Sequence, residues 1–212
     1  MPIITTEDKS FLFIHIPKTG GTTIEKTIMK SNDHKLYYRT SAGMPINKFT
    51  ICTPQHFQAD LLRQIFKIKA FSGVFTIVRN PYDRIKSEYA MRSKKLENIK
   101  GNVVYEWLSS KVEKFKTTDP YVNDNHIRPQ HEFILPNTKI FKLEDGMESI
   151  FKSLKEYWNL NFEYDPEFKV MTSHKVSGYP SSEVELNADS MNLINEFYKR
   201  DFTLFGYKMN HP

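Results

Sequence analysis

The 212-residue chain has a single cysteine, Cys52, so no disulfide can form within it. That excludes the small stapled scaffolds of secreted proteins and makes a reducing, cytoplasmic setting the expectation. No apolar run reaches the about 20 residues that a membrane-spanning helix needs. The opening Met1-Pro-Ile-Ile-Thr-Thr-Glu-Asp-Lys9 has neither the basic start nor the apolar core of a signal peptide. No repeat and no long linker interrupts the chain, which fits one modest domain over residues 1–212. His, Cys, Asp and Glu nowhere take up metal-ligand spacing, and no metal is expected. The 30 basic residues are interleaved with 25 acidic ones and form no long tract, which counts against nucleic acid as a partner, while the net charge of +5 favours smaller anions. What the chain has in quantity is rings: 16 Phe and 11 Tyr, expected to fill the core.

The most informative stretch is Phe11-Leu-Phe-Ile-His-Ile-Pro-Lys-Thr-Gly-Gly-Thr-Thr-Ile-Glu25. An apolar run breaks at Pro17 and then becomes helix-compatible, which reads as strand, tight loop, helix. The start of a helix leaves backbone N–H groups unpaired at the positive end of the helix dipole. Lys18 and the hydroxyls of Thr19, Thr22 and Thr23 stand beside them, and Gly20 and Gly21 let the backbone close on a phosphate or sulfate. The spacing is not that of a Walker A loop. An ordinary strand-to-helix turn would share the two glycines; the ordered run of strand, Lys, Gly-Gly and Thr-Thr favours the anion cradle.

A second segment, Gly73-Val-Phe-Thr-Ile-Val-Arg79-Asn80-Pro81-Tyr82-Asp83-Arg84-Ile-Lys-Ser87, reads as a buried strand followed by a helix with Asn80 as N-cap and Pro81 in its first position. Arg79 falls at the strand's carboxyl end, where open α/β sheets bind ligands. Arg84 and Ser87 share a helix face three residues apart and are candidates for a second phosphate. A solvated basic face formed by Arg84, Lys86 and Arg92 is the competing reading.

The two segments, HIPKTGGTT and VRNPYDRIKSEY, resemble in order and spacing the nucleotide-binding motifs of sulfotransferases that use 3′-phosphoadenosine-5′-phosphosulfate (PAPS), in particular the carbohydrate branch. The likeness extends to Asn125-His126-Ile-Arg-Pro-Gln130, Lys142-Leu-Glu-Asp145 and Phe197 to Tyr207. It implies a P-loop-NTPase-like sulfotransferase fold, PAPS as donor and 3′-phosphoadenosine-5′-phosphate (PAP) as product. It assigns the phosphosulfate to residues 18–23 and the 3′-phosphate to Arg79 and Ser87. It further implies a hydroxyl acceptor, most naturally a carbohydrate. A late basic loop often closes over the nucleotide in this family, which makes Lys175 and Ser177 candidates alongside the reading of 172–182 as a plain surface loop.

Apolar runs place strands near 11–16, 48–53, 73–79 and 138–143 and helices near 22–31, 56–67, 81–97, 101–116, 147–157 and 188–201, the alternation of an α/β parallel sheet covered on both faces. Residues 32–47 and 117–137 read as loops. A hydroxyl acceptor must lose a proton, and histidine suits that task near neutral pH. His56, just past the second expected strand, is the first candidate for the base. The related polysaccharide 2-O-sulfotransferases, by resemblance, place a histidine base in the equivalent segment. His126 is the second candidate, as base or acceptor contact, whereas His15, inside the first strand, reads as a packed core residue. A nucleotide-dependent phosphotransferase and a non-catalytic polyanion-binding module remain the alternatives to sulfuryl transfer.

Overall fold

The computed structural model describes residues 2–31, 34–37, 44–93, 99–166 and 178–211. These fall into two compact units, Met1–Val78 with Glu132–Val170, and Arg79–His131 with Met171–Pro212.

The first unit carries a five-stranded sheet of order β3-β1-β2-β4-β5, in which β1 is Ile3–Thr5, β2 Ser10–Ile14, β3 Lys35–Tyr37, β4 Gly73–Val78 and β5 Lys139–Lys142. β2, β4 and β5 run parallel, with Phe13 opposite Phe75 and Phe75 opposite Lys139, while β1 and β3 join antiparallel at one edge. The α/β class is as expected. The strand expected at 48–53 is not there: Pro45–Phe49 is a 3₁₀ turn opened by Pro45, and bends follow it. In its place the sheet gains two three-residue strands, β1 beside β2 and β3 at the edge beyond it, each too short for alternation to show in the sequence. The helix expected at 56–67 begins later, as α2, Ala59–Ile65, behind a 3₁₀ turn at Pro54–His56.

One face of the sheet packs on α1, Gly21–Lys30, and α5, Met147–Trp158, in a core of Ile4, Phe11, Phe13, Ile24, Ile28, Phe75, Phe141, Phe151 and Leu154. The rings do fill it: Phe13 and Phe75 stack at 4.9 Å and Trp158 tilts against Phe75 at 5.8 Å. Burying each such ring contributes about 2–3 kcal/mol before chain entropy is counted. The one polar side chain of β4, Thr76, is fully buried and donates to the carbonyl of Ile14 at 2.7 Å. That bond marks the end of β2, and Pro17, with no N–H to donate, keeps the chain from rejoining the ladder.

The second unit is helical: α3, Pro81–Arg92, α4, Gly101–Thr117, α6, Ala188–Phe197, and α7, Lys199–Phe205. The Asn80 side chain accepts from the N–H of Tyr82 at 3.0 Å, the cap expected from the sequence. The helix expected over 188–201 is two, divided at Tyr198. Tyr82, Ile85, Leu108, Val112, Ile127, Ile194, Tyr198 and Phe202 form its core. Among the described residues no helix is long and apolar enough to cross a membrane.

Candidate functional site

After β2, the residues His15, Ile16 and Pro17 stay buried, and the chain turns at Lys18. Among the described residues, positive φ outside glycine occurs at Lys18, Asn123, Asp124, Asn125, Asn137 and Asn159. Five of these are the Asn and Asp that tolerate the left-handed region; Lys18, at φ 70, is the exception. Strain of this kind gathers where function fixes a conformation. Gly20 follows at φ 85 as N-cap of α1, and a Cβ there would also lie 2.3 Å from the Met147 side chain, so the loop needs a glycine on both counts. No side chain caps the first turn of α1 and no acidic residue lies in it, which leaves the positive end of the helix open to an anion. Thr22 and Thr23 are half-buried in that turn. Thr19 is different: its hydroxyl is fully buried and donates to the carbonyl of Ile16 at 2.8 Å, which ties the loop to itself.

Beneath the loop lies a polar group that the sequence did not reveal. Glu25, on the inward face of α1, is only 1% exposed and accepts from His15 Nδ1 at 2.5 Å and from Gln55 Nε2 at 2.9 Å. Gln55 Nε2 also stands 2.9 Å from His15 Nδ1, but an amide N–H cannot donate to a nitrogen whose proton is given to a carboxylate. His15 is therefore buried as expected, yet in a hydrogen-bonded pair and not in a purely apolar core. Gly21, the first residue of α1, is placed so that a Cβ would fall 2.3 Å from His15 Cδ2 and Nε2. The imidazole edge thus occupies the space a side chain would take. The ring of His56 stands edge-on to it, with centroids 5.3 Å apart, and His56 Nδ1 lies 3.2 Å from Thr53 Oγ1.

In the second unit, Arg79 is bracketed by Gln130, which accepts from the Arg79 N–H at 2.9 Å and donates its amide to the Arg79 carbonyl at 2.8 Å. Gln130 is itself held, because Asp201 accepts from the N–H of Gln130 at 2.7 Å and from that of His131 at 2.9 Å. Arg84 is not on a solvated face: it is 1% exposed, donates to the carbonyl of His126 at 2.8 Å and lies over the ring of Tyr198. The segment 125–131 therefore holds both arginines. Ser87 is buried one turn further on. Beside it, Glu88 accepts from His126 Nδ1 at 2.6 Å and from Arg92 Nε at 2.9 Å. Burial alone raises the Glu88 carboxyl, but the His126 and Arg92 charges and hydrogen bonds overcome that and draw it down to about 2. His126 follows three successive left-handed residues, Asn123, Asp124 and Asn125, the last of which accepts from Arg128 Nε at 2.6 Å. Lys175 and Ser177 lie outside the described residues.

Glu25, Gln55, Gln130 and Asp201 were missed by reading the sequence. A carboxylate on the apolar face of α1, one turn above Ile28, was the signal available for Glu25. Gln130 and Asp201 stand 71 residues apart in the chain, and no local pattern joins them.

A parallel sheet whose strand runs into a glycine-bearing, lysine-bearing loop at an open helix end defines an enzyme class that handles an anionic group. Residues 1–208 match the model of the sulfotransferase family, and the chain belongs to that family. It is a transferase of sulfuryl groups. No curated protein and no solved structure matches it.

Proposed function

We propose that the protein transfers the sulfuryl group of PAPS to a hydroxyl of a carbohydrate acceptor. The observation that carries this reading is the strained Lys18 turn followed by the uncapped first turn of α1, with Gly20 and Gly21 at its entry. Residues 18–23 bind the phosphosulfate, and Arg79 and Ser87, with Arg84 behind them, bind the 3′-phosphate. In the transfer the acceptor oxygen attacks sulfur as the bond from sulfur to the bridging phosphate oxygen breaks. The electron pair of that bond leaves on the 5′-phosphate of PAP, where the Lys18 ammonium offsets the growing charge. The acceptor proton passes to the ring of His56. Thr53 Oγ1, 3.2 Å from His56 Nδ1, orients the ring. A second candidate for the base is His126, whose ring the Glu88 carboxylate orients.

Thermal unfolding with nucleotides tests the donor assignment. PAP is expected to raise the melting temperature well above the effect of 5′-AMP, which lacks the 3′-phosphate, and Arg79→Ala to erase the difference. Equal stabilisation by PAP and AMP in the unaltered protein overturns the reading.

A further inference from the structure

We propose that His15 is a donor-binding residue: held by Glu25 through Nδ1, it presents a protonated Nε2 beside Gly21 to the anion bound at the start of α1. The proposal rests on the donor reading above and adds a ligand contact to it. Glu25 is buried, and a buried carboxylate is tolerated when a cation and hydrogen bonds compensate it. The His15 ring is the cation when it carries its second proton, 2.5 Å from the carboxylate, and Gln55 is a second donor at 2.9 Å. With the Nδ1 proton committed to Glu25, the imidazolium has one donor left, Nε2–H.

Nε2 makes no hydrogen bond among the described residues, and it is not one of the sealed, unpaired side-chain atoms, which are Thr27 Oγ1, Asn47 Oδ1, Thr50 Oγ1 and Asn123 Nδ2. Its position is fixed by Gly21, whose absent Cβ would stand 2.3 Å from it. Gly21 is the first residue of α1, so the free donor of a 5%-exposed ring stands at the same helix end as the open N–H groups. The glycine in that position is explained by the same contact: any side chain there would displace the imidazole. The described titratable groups that face His15 are Glu25 from α1 and His56 from the turn at Pro54–His56. Lys18 precedes the same helix in the loop. Phe13, stacked on the ring at 5.7 Å, closes it off with an apolar face.

An imidazolium donor gives the affinity for an anion a pH dependence that neither packing nor the lysine provides. The test is calorimetric titration of PAP into the unaltered protein, His15→Phe and Glu25→Gln, at about pH 6 and about pH 8, either side of the ordinary histidine range. The phosphates of PAP also change charge there, but they do so with every variant, and the ratio of affinities isolates His15. The expected result is that the unaltered protein binds PAP about tenfold more tightly than His15→Phe at the lower pH, the scale of one charge-assisted hydrogen bond, with the ratio shrinking towards one at the higher pH. Glu25→Gln should lose most of the advantage at the lower pH, because the imidazolium has lost its counter-charge. A ratio that is one at the lower pH, or the same at both, overturns the inference. Where His15→Phe does not fold, Glu25→Gln decides alone, and an unchanged affinity profile for it is the overturning result. Failure of the unaltered protein to bind PAP at either pH overturns the donor reading itself, and this inference with it.

Discussion

Each unit buries a histidine against a glutamate, and the two pairs differ in the company the carboxylate keeps. Glu25 accepts from His15 and from the neutral amide of Gln55, whereas Glu88 accepts from His126 and from the guanidinium of Arg92. At Glu88 two cationic partners outweigh the penalty of burial and hold the carboxyl at about 2. At Glu25 the hydrogen bond from Gln55 comes from an amide that carries no charge. The same two side-chain types thus stand in different hydrogen-bonded surroundings in the two units.

The largest expected effect separates the histidines by chemistry. His56→Ala should lower turnover about a hundredfold or more, the usual scale for losing a general base, and remove the limb of the rate profile that rises with pH. His126→Ala should leave that limb in place while lowering the melting temperature, because Glu88 loses one of its two cations. The reverse outcome, seen in steady-state rates across the pH range, moves the base to the second unit.

The next effect is on stability. Glu88→Gln should destabilise the fold by about 3 kcal/mol and Glu25→Gln by about 1 kcal/mol, since only the first strands a guanidinium and an imidazolium together. With the carboxyl lowered from 4.5 in the unfolded chain to about 2, the Glu88 contribution is complete above the first value and drains away as pH falls towards the second. Chemical unfolding at stepped acid pH should therefore show a loss of stability in that window for the unaltered protein and its disappearance in Glu88→Gln. Equal acid profiles would remove the distinction between the two pairs.

The smallest effect concerns the bracket at Arg79. Gln130→Ala removes the two hydrogen bonds to the main-chain N–H and C=O of Arg79, and the expected loss is about 1–2 kcal/mol in stability with a several-fold weaker hold on PAP. An unchanged affinity would show that Arg79 keeps its place without Gln130.

What could be read in advance was what a short stretch of sequence can state. The parallel strands at Ser10–Ile14, Gly73–Val78 and Lys139–Lys142 announce themselves as apolar runs bounded by Gly, Pro or Asn, and Asn80-Pro81 opens α3 as expected. The short strands Ile3–Thr5 and Lys35–Tyr37 exist because β2 offers an edge to the first and the first offers one to the second, which no window of three residues can reveal. The competing reading of Arg84 as part of a wet basic face fails for a related reason: Tyr82, Ile85, Glu88 and Tyr89 are buried around the helix and take Arg84 in with them. The loop at 18–23 was visible; the buried group that supports it was not, because Glu25, Gln55 and His15 are joined only by folding.

The bracket at Arg79 separates two properties that most ligand-binding residues combine. Its main chain is held at N–H and C=O by the side chain of another residue, which Asp201 anchors in turn, and these two holds do not involve the side chain that residue 79 carries. Position 79 is in this sense a socket. Exchange of the arginine for other groups, by drift or by design, changes what is offered to a nucleotide while the frame that offers it stays where it is.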